Sequence, residues 1–430
     1  MQPKLNRDIL FVLLSLFVQV PLAVFLGHFY DDRIFMATGY LVSSGVNPYL
    51  PYNFMNIFPP AIISGNIPTI GYPALWPAWL GLAYKISYGV TNNVFLYNSV
   101  TKIPLIAADV ALAFLVRHIL RDMRISEKKA QLAFLFILFN PFILLTTVAW
   151  GEFDTLVIVL CLASFHLLTE SRITECALCF GFAVALKPIV LPLAPLPLFY
   201  AAPNATTKKK LLYISVFLST LSVCYFGPFL IAGWRIPLAP SQLQDQVQMA
   251  GGMTLFSVVE FFQSQSTLPT TIAFLGYLWI PALIIAYYAV YRACPGNFSG
   301  LIKNAVLVLL FFFLSRTWVS EPNLNLFVPL MLLAASFNAV KFRDFHLSWI
   351  LPLVFMFPNY AFPQLFFLIN PSVMTSLQLF NVQYGTLRVV AQLLVVVVWQ
   401  VFALKIVAQM LQHRGTSVLT LRISEETKLQ

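Results

Sequence analysis

Apolar runs long enough to cross a bilayer recur from one end of this chain to the other. The first covers residues 9–28, and a helix of about 20 apolar residues spans a hydrocarbon core about 30 Å thick. Inside lipid, every backbone polar group needs an internal partner, so recurring runs of this kind fold as α-helices. Only 10% of the 430 residues are charged, against about 25% in soluble domains. The chain is therefore predicted to be an all-α polytopic membrane protein.

Basic residues predict how the runs are oriented. Lys4 and Arg7 precede the first run, and the basic stretch RHILRDMRISEKK covers residues 117–129. The positive-inside rule places both in the cytoplasm. The first run is too long for the core of a cleaved signal peptide, so it is interpreted as a retained span. We expect about twelve crossings with both termini cytoplasmic, in the cell membrane or, in a eukaryote, the endoplasmic reticulum.

The expected layout is one transmembrane domain over residues 1–411 and a polar cytoplasmic tail over 412–430. Two outer loops, 29–99 and 232–269, would carry short helices, with an interfacial helix near 72–89. The crossings are expected at about 9–28, 100–117, 131–148 and 155–168, in a hairpin broken at Lys187-Pro188 (two crossings), and at about 211–231, 270–291, 302–315, 324–337, 346–370 and 388–411.

Two adjacent carboxylates, Asp31 and Asp32, directly follow the first run. We expect them at the outer, C-terminal end of its helix, where acids oppose the helix macrodipole. They are either solvated interfacial charges or a functional pair. In the functional interpretation, one carboxylate is a base that removes a proton from an acceptor hydroxyl. A base within hydrogen-bonding reach contributes roughly 10²–10⁴-fold to rate.

Other polar side chains are predicted to lie on the same outer side. Ionisable residues at membrane depth are costly, and they are functional candidates for that reason. The candidates for substrate binding are Arg316, Lys187, Glu321, Asn323, Glu152 and Asp154.

Each of these candidates also has a plain structural interpretation. Arg316 either pairs with Glu321 at a helix end or binds phosphate, because a guanidinium fork matches phosphate oxygens. Lys187 either snorkels to the interface or adds a second positive charge. Glu152 and Asp154, in the sequence WGEFD, either form a polar turn or accept hydrogen bonds from sugar hydroxyls.

Several function classes are disfavoured. The sequence has no Walker, dinucleotide-binding, H-E-x-x-H or metal-spaced Cys/His motif, which argues against a nucleotide-driven pump and a dedicated zinc site. No cofactor is expected, although a divalent ion near Asp31 and Asp32 stays possible without support from ligand spacing. The net charge of +10 comes from inter-span loops, so nucleic acid is not an expected partner.

Four segments resemble the GT-C superfamily of membrane glycosyltransferases, in particular the GPI mannosyltransferase I and dolichol-linked branches. They are Asp31 with Gly45-Val46-Asn47-Pro48-Tyr49, Tyr72-Pro73-Ala74-Leu75, the lysine-then-proline stretch ALKPIVLPLAPLPL, and RTWVSEPNLN. One departure is Ala74, which stands where the superfamily pattern has a second proline.

The resemblance implies an inverting enzyme that moves a sugar, with mannose as the first choice, from a polyprenyl-phosphate donor to a lipid or glycan hydroxyl on the outer or luminal side. It places Asp31 on the catalytic acid, with Asp32 as the alternative, and sets Arg316 and Lys187 toward the lipid phosphate. The alternatives are a transporter or flippase of a lipid-linked substrate, and a structural subunit of a glycosylation complex. A transporter would be expected to show inverted repeats.

Overall fold

The computed structural model describes residues 7–63, 65–201, 206–234, 248–259, 267–293 and 296–426. Over these ranges the chain is predominantly helical with almost no sheet, which confirms the predicted all-α polytopic class. Lys4, on which the orientation partly depends, lies outside the described residues, as do 235–247 and 260–266 of the second outer loop.

Seven helical segments among the described residues are long and apolar enough to cross a membrane. They coincide with seven of the twelve expected crossings: Arg7–Phe25, Val94–Asp122, Glu127–Ala149, Thr207–Ala232, Thr270–Arg292, Phe298–Ser315 and Val373–Gln412. The last helix continues to Glu426, so the tail that begins at 412 is helical to that point.

The other five expected crossings coincide with helices shorter than a full span. The shorter α-helices are Phe29–Ser43, Leu75–Ile86, Tyr88–Thr91, Asp154–Thr169, Ile173–Leu186, Leu196–Ala201, Val328–Ser336, Phe342–Phe355 and Ala361–Gln364. Short 3-10 helices cover Pro188–Leu193, Leu255–Val258, Thr270–Tyr277 and Glu321–Leu326. Within Glu127–Ala149, α-helix gives way at Asn140 to Pro141–Ile143 and then to a π-helical turn, Leu144–Ala149.

The hairpin break lies where the prolines predict it. Helix Ile173–Leu186 ends at Lys187, whose backbone is extended, and a 3-10 helix begins at Pro188. Proline has no N–H to continue an α-helix and clashes with the preceding turn. The break leaves the Lys187 side chain at the tip of the hairpin.

Charged residues mark one end of the helix bundle. Arg117 contacts Asp8 at 2.5 Å and Glu127 at 2.9 Å. The start of the first helix and the basic stretch at 117–129 therefore lie at the same end, and the first helix carries the chain from there to Asp31 and Asp32.

A short parallel pairing joins two segments that follow long helices. Gly251 pairs with Trp318 and Gly252 with Val319. A side chain on Gly252 would begin 2.2 Å from the Val319 carbonyl oxygen, so only glycine permits this approach. The pairing attaches the described part of the second outer loop to the turn after helix Phe298–Ser315.

Candidate active site

Asp31 and Asp32 lie in the first turn of helix Phe29–Ser43. The expectation that they end the first helix is wrong, because that helix stops at Phe25 and the chain turns at Gly27. The Gly27 N–H donates to the Leu365 carbonyl at 2.8 Å. At a helix N-terminus the macrodipole stabilises carboxylates, so the electrostatic cost expected from sequence is absent.

Asp31 is held by two aromatic side chains. The Trp150 indole N–H donates to Oδ2 of Asp31 at 2.7 Å, and His28 Nδ1 lies 3.0 Å from the same oxygen. The His28 and Trp150 rings stack with centroids 3.9 Å apart. Burial on its own would raise the pKa of Asp31, but hydrogen bonds from His28 and Trp150 and the charges on His28 and Lys187 lower it below its ordinary value. Asp31 is therefore an ionised carboxylate.

Asp32 occupies a different environment, packed against two glycines. A Cβ on Gly27 would lie 1.5 Å from Oδ2 of Asp32, and one on Gly151 would lie 3.4 Å from Oδ1. Among the described residues, no hydrogen-bond partner reaches Oδ2 of Asp32. Burial raises the pKa of Asp32 to about 7, although the charge on Lys102 opposes the shift. Two neighbouring acids thus differ in protonation at neutral pH.

A narrow cavity of about 310 Å³, counting its open mouth, is bounded by Asp32. Its other polar lining comes from Tyr97, Asn98 and Thr101, and most of its wall is apolar. The cavity is therefore a mostly apolar cleft with Asp32 at its polar end.

Lys187 is the centre of a buried ionic cluster. Its Nζ donates to Oε2 of Glu152 at 2.8 Å and to Oδ2 of Asp154 at 2.7 Å. The Tyr72 hydroxyl donates to Oε1 of Glu152 at 3.0 Å. Burial raises the pKa of Glu152 to about 7 against the opposing charge of Lys187. Lys187 does not snorkel to solvent, because its charge is shared by two buried carboxylates.

The local backbone explains how the WGEFD segment reaches this cluster. The π-helical turn Leu144–Ala149 precedes it, and such turns shift the register of a helix and occur often at functional sites. Gly151 then adopts φ +99, which side chains rarely tolerate. Together they point Trp150 toward Asp31 and Glu152 toward Lys187.

The turn after helix Phe298–Ser315 contributes three candidates. The Arg316 guanidinium lies 5.3 Å from the Phe312 ring centroid and has no hydrogen bond or ion pair within the described ranges. Glu321 accepts a hydrogen bond from Asn359 at 2.7 Å instead, so the alternative Arg316–Glu321 pair does not form. Asn323 is buried in the 3-10 helix that begins at Glu321.

The structure brings Asp31, Asp32, Glu152, Asp154 and Lys187 into one polar region. Glu321 belongs to the same region. Burial raises its pKa above the ordinary value in spite of the hydrogen bond from Asn359, and the charges on His28 and Asp31 also act on it.

Sequence reasoning missed the partners of these acids, namely His28 and Trp150 at Asp31, Tyr72 at Glu152 and Asn359 at Glu321. Tyr72 was visible in the tyrosine-proline motif, but nothing local indicates that Asn359 would reach Glu321. Within the described part of the chain, no group of three or more His, Cys, Asp or Glu side chains is placed to hold a metal ion.

Comparison with known proteins identifies the family. The model of Glycosyltransferase family 87 matches residues 100–340, more than half of the chain. No curated protein matches the chain. The matched segment contains the Lys187 cluster, Arg316 and Glu321, whereas Asp31 and Asp32 precede it. The chain therefore belongs to glycosyltransferase family 87, and it is a multi-pass membrane glycosyltransferase.

Proposed function

We propose that this glycosyltransferase moves a sugar from a polyprenyl-phosphate donor to a hydroxyl of a lipid or glycan acceptor, with inversion at the anomeric carbon. One observation carries the proposal: an ionised carboxylate, Asp31, adjoins a cavity-lining acid, Asp32, at one end of a helix bundle. An apolar cavity with a polar end suits a substrate that arrives through the membrane.

Asp31 is the proposed base. Inversion requires one displacement, in which the acceptor oxygen attacks the anomeric carbon while the phosphate leaves from the opposite side. The base must be ionised before it takes the hydroxyl proton, and His28 and Trp150 keep Asp31 in that form. Asp32, protonated near neutral pH, would donate a hydrogen bond to an oxygen of the substrate in the cavity.

Arg316 is the proposed phosphate ligand. Negative charge develops on the departing phosphate, and a cation placed there stabilises the transition state. Arg316 is half-buried as a residue, and its guanidinium makes no hydrogen bond within the described ranges, so its donors are available for a bidentate contact. Lys187 would contact the phosphate only by leaving Glu152 and Asp154, so its main proposed role is to hold these two acids. Glu152, Asp154, Glu321 and Asn323 would then bind sugar hydroxyls.

The proposed active side is the outer or luminal one, with both termini cytoplasmic. The contact of Asp8 with Arg117 supports this orientation, because it puts the basic stretch at the end opposite Asp31. In a variant whose native cysteines are replaced, Leu50→Cys, at an exposed position of the same loop, should react with an impermeant label added from outside. A label confined to the cytoplasm that reached position 50 would overturn the orientation.

The reaction is tested with purified protein and a panel of polyprenyl-phosphate sugars, with mannose first and nucleotide sugars as comparison donors. We expect transfer from the lipid-linked donor, and Asp31→Asn should lower turnover roughly 10²–10⁴-fold. Asp122→Asn, at an exposed position at the other end of the bundle, is the matched control. Unchanged turnover in Asp31→Asn would remove the base, and transfer from nucleotide sugars alone would remove the donor class.

A further inference from the structure

A chain of side-chain hydrogen bonds connects Glu321 to the last long helix. Asn359 Nδ2 donates to Oε1 of Glu321 at 2.7 Å, and Gln392 Nε2 donates to Oδ1 of Asn359 at 2.9 Å. Arg388 Nη1 donates to Oε1 of Gln392 at 3.1 Å. The four side chains thus link helix Val373–Glu426 with a residue of the polar region around Asp31.

Chemistry gives this chain of bonds a single direction. A guanidinium can only donate hydrogen bonds, so Gln392 turns its oxygen toward Arg388 and its NH₂ group toward Asn359. Asn359 accepts that bond through its oxygen and turns its own NH₂ group toward Glu321. Gln392 and Glu321 are each only 2% exposed, so water cannot readily replace either partner. Each amide is held in one orientation.

Arg388 also supports the turn that carries Asn359. Its guanidinium lies 4.9 Å from the Tyr360 ring centroid, and its Nε donates to Asn381 Oδ1 at 3.0 Å. Tyr360 has a left-handed backbone, with φ +60, which is strained for a bulky residue. The arginine therefore fixes the neighbourhood of Asn359 through the backbone turn as well as through Gln392.

We propose that Arg388, Gln392 and Asn359 are positioning residues for glycosyl transfer, which hold the Glu321 carboxyl group in place. The inference rests on the proposed function of this site. All three residues follow the segment that matches the family model, which ends at 340. Partners that orient a functional group in this way commonly decide how precisely it meets the substrate.

Gln392→Met is the first test, because methionine has nearly the size of glutamine but cannot make either hydrogen bond. We expect kcat to fall about tenfold, the loss typical of one net hydrogen bond, while the donor KM stays within about twofold. Arg388→Lys keeps a hydrogen-bond donor, so its kcat should fall less than that of Gln392→Met. The matched control is Gln400→Met on the same helix, where Gln400 donates to the Met253 carbonyl rather than to Asn359. An equal kcat in Gln392→Met and wild type would overturn the proposal.

A double-mutant cycle separates positioning from general damage. If Gln392 acts through Glu321, then Gln392→Met should change kcat little once Glu321→Gln is present. If the effects of the two substitutions on kcat simply multiply, the positioning proposal is overturned, but the proposed glycosyl transfer is not. Absence of transfer by wild-type protein would instead overturn the proposed function.

An infrared difference spectrum tests the hydrogen-bond chain without any measurement of turnover. The carboxyl band that is lost in Glu321→Gln should shift in Gln392→Met and stay in place in Gln400→Met, because only Gln392→Met removes the support of Asn359. An unshifted band in Gln392→Met would overturn the hydrogen-bond chain whatever the enzyme's substrate is.

Discussion

The indole N–H of Trp150 meets Oδ2 of Asp31 at 2.7 Å across 119 positions of sequence. This bond joins the segment before the family match to the segment inside it. The ionised acid thus depends on an aromatic side chain that a π-helical turn delivers from another helix.

Trp150→Phe should raise the pKa of Asp31, because it removes one of the two side chains that hold the ionised form. The base would then be protonated over a wider pH range, so the acid limb of kcat/KM should move to higher pH. At neutral pH we expect kcat to fall about tenfold, as for loss of a hydrogen bond to a charged group. The measurement is a pH–rate profile of both proteins.

Trp234→Phe is the control for this change, since its indole donates to the Gly45 carbonyl rather than to an acid. A Trp150→Phe profile that overlays the wild-type profile would contradict the role given to the bond.

Lys187→Met should destabilise the protein strongly. It leaves the buried carboxylates of Glu152 and Asp154 without their shared cation, and breaking a buried pair from one side costs about 3–5 kcal/mol. Thermal unfolding in detergent measures the loss. Lys208→Met, at an exposed position, is the control. A melting temperature that is equal in the Lys187 and Lys208 variants would show that the cluster contributes nothing.

Asp32 should make stability depend on pH. Its folded pKa, about 7, exceeds its ordinary 3.8, so the folded state binds the proton more tightly than the unfolded state does. The stabilisation of the fold by this proton is complete below about pH 4 and is lost as the pH rises through about 7. The free energy of unfolding should therefore differ more between pH 5 and pH 8 in the wild type than in Asp32→Asn.

Asp31→Asn is the comparison for this pH dependence. The pKa of Asp31 is lowered in the fold, so its own contribution is lost only in strong acid, below the tested range. The free energy of unfolding of Asp31→Asn should therefore still differ between pH 5 and pH 8. If Asp32→Asn and Asp31→Asn respond to pH alike, the assignment of the neutral acid is wrong.

Gly27→Ala should displace the Asp32 side chain, because the new methyl group would lie 1.5 Å from Oδ2. We expect turnover at least tenfold lower, since a displacement of about 1 Å can cost roughly 100-fold. Gly227→Ala adds a methyl group where nothing lies within 4 Å and is the matched control. Full activity in Gly27→Ala would mean that the position of Asp32 is unimportant.

The sequence predicted features that depend on local chemistry. Apolar runs and basic loops indicated a polytopic helical protein, and Pro188 marked the break that leaves Lys187 at a hairpin tip. The predicted first helix runs too far because an apolar run does not show where a helix stops. The helix stops before Gly27, whose N–H donates to the Leu365 carbonyl. No local sequence pattern predicts this contact.

Most features of the site that the sequence did not predict depend on partners that are distant in sequence. In the sequence, Lys187 and Arg316 were both candidate cations for a lipid phosphate. Only the fold shows that Lys187 neutralises Glu152 and Asp154 while Arg316 rests on an aromatic ring. The bond from Asn359 to Glu321 likewise depends on how the later helices pack, and single-sequence patterns do not specify such packing.

The parallel pairing of Gly251–Gly252 with Trp318–Val319 makes two distant segments mechanically one piece. Arg316 and Glu321 each lie within three residues of the strand Trp318–Val319, so a displacement of Gly251 and Gly252 would carry both side chains with it. The two residues would then change position together rather than independently.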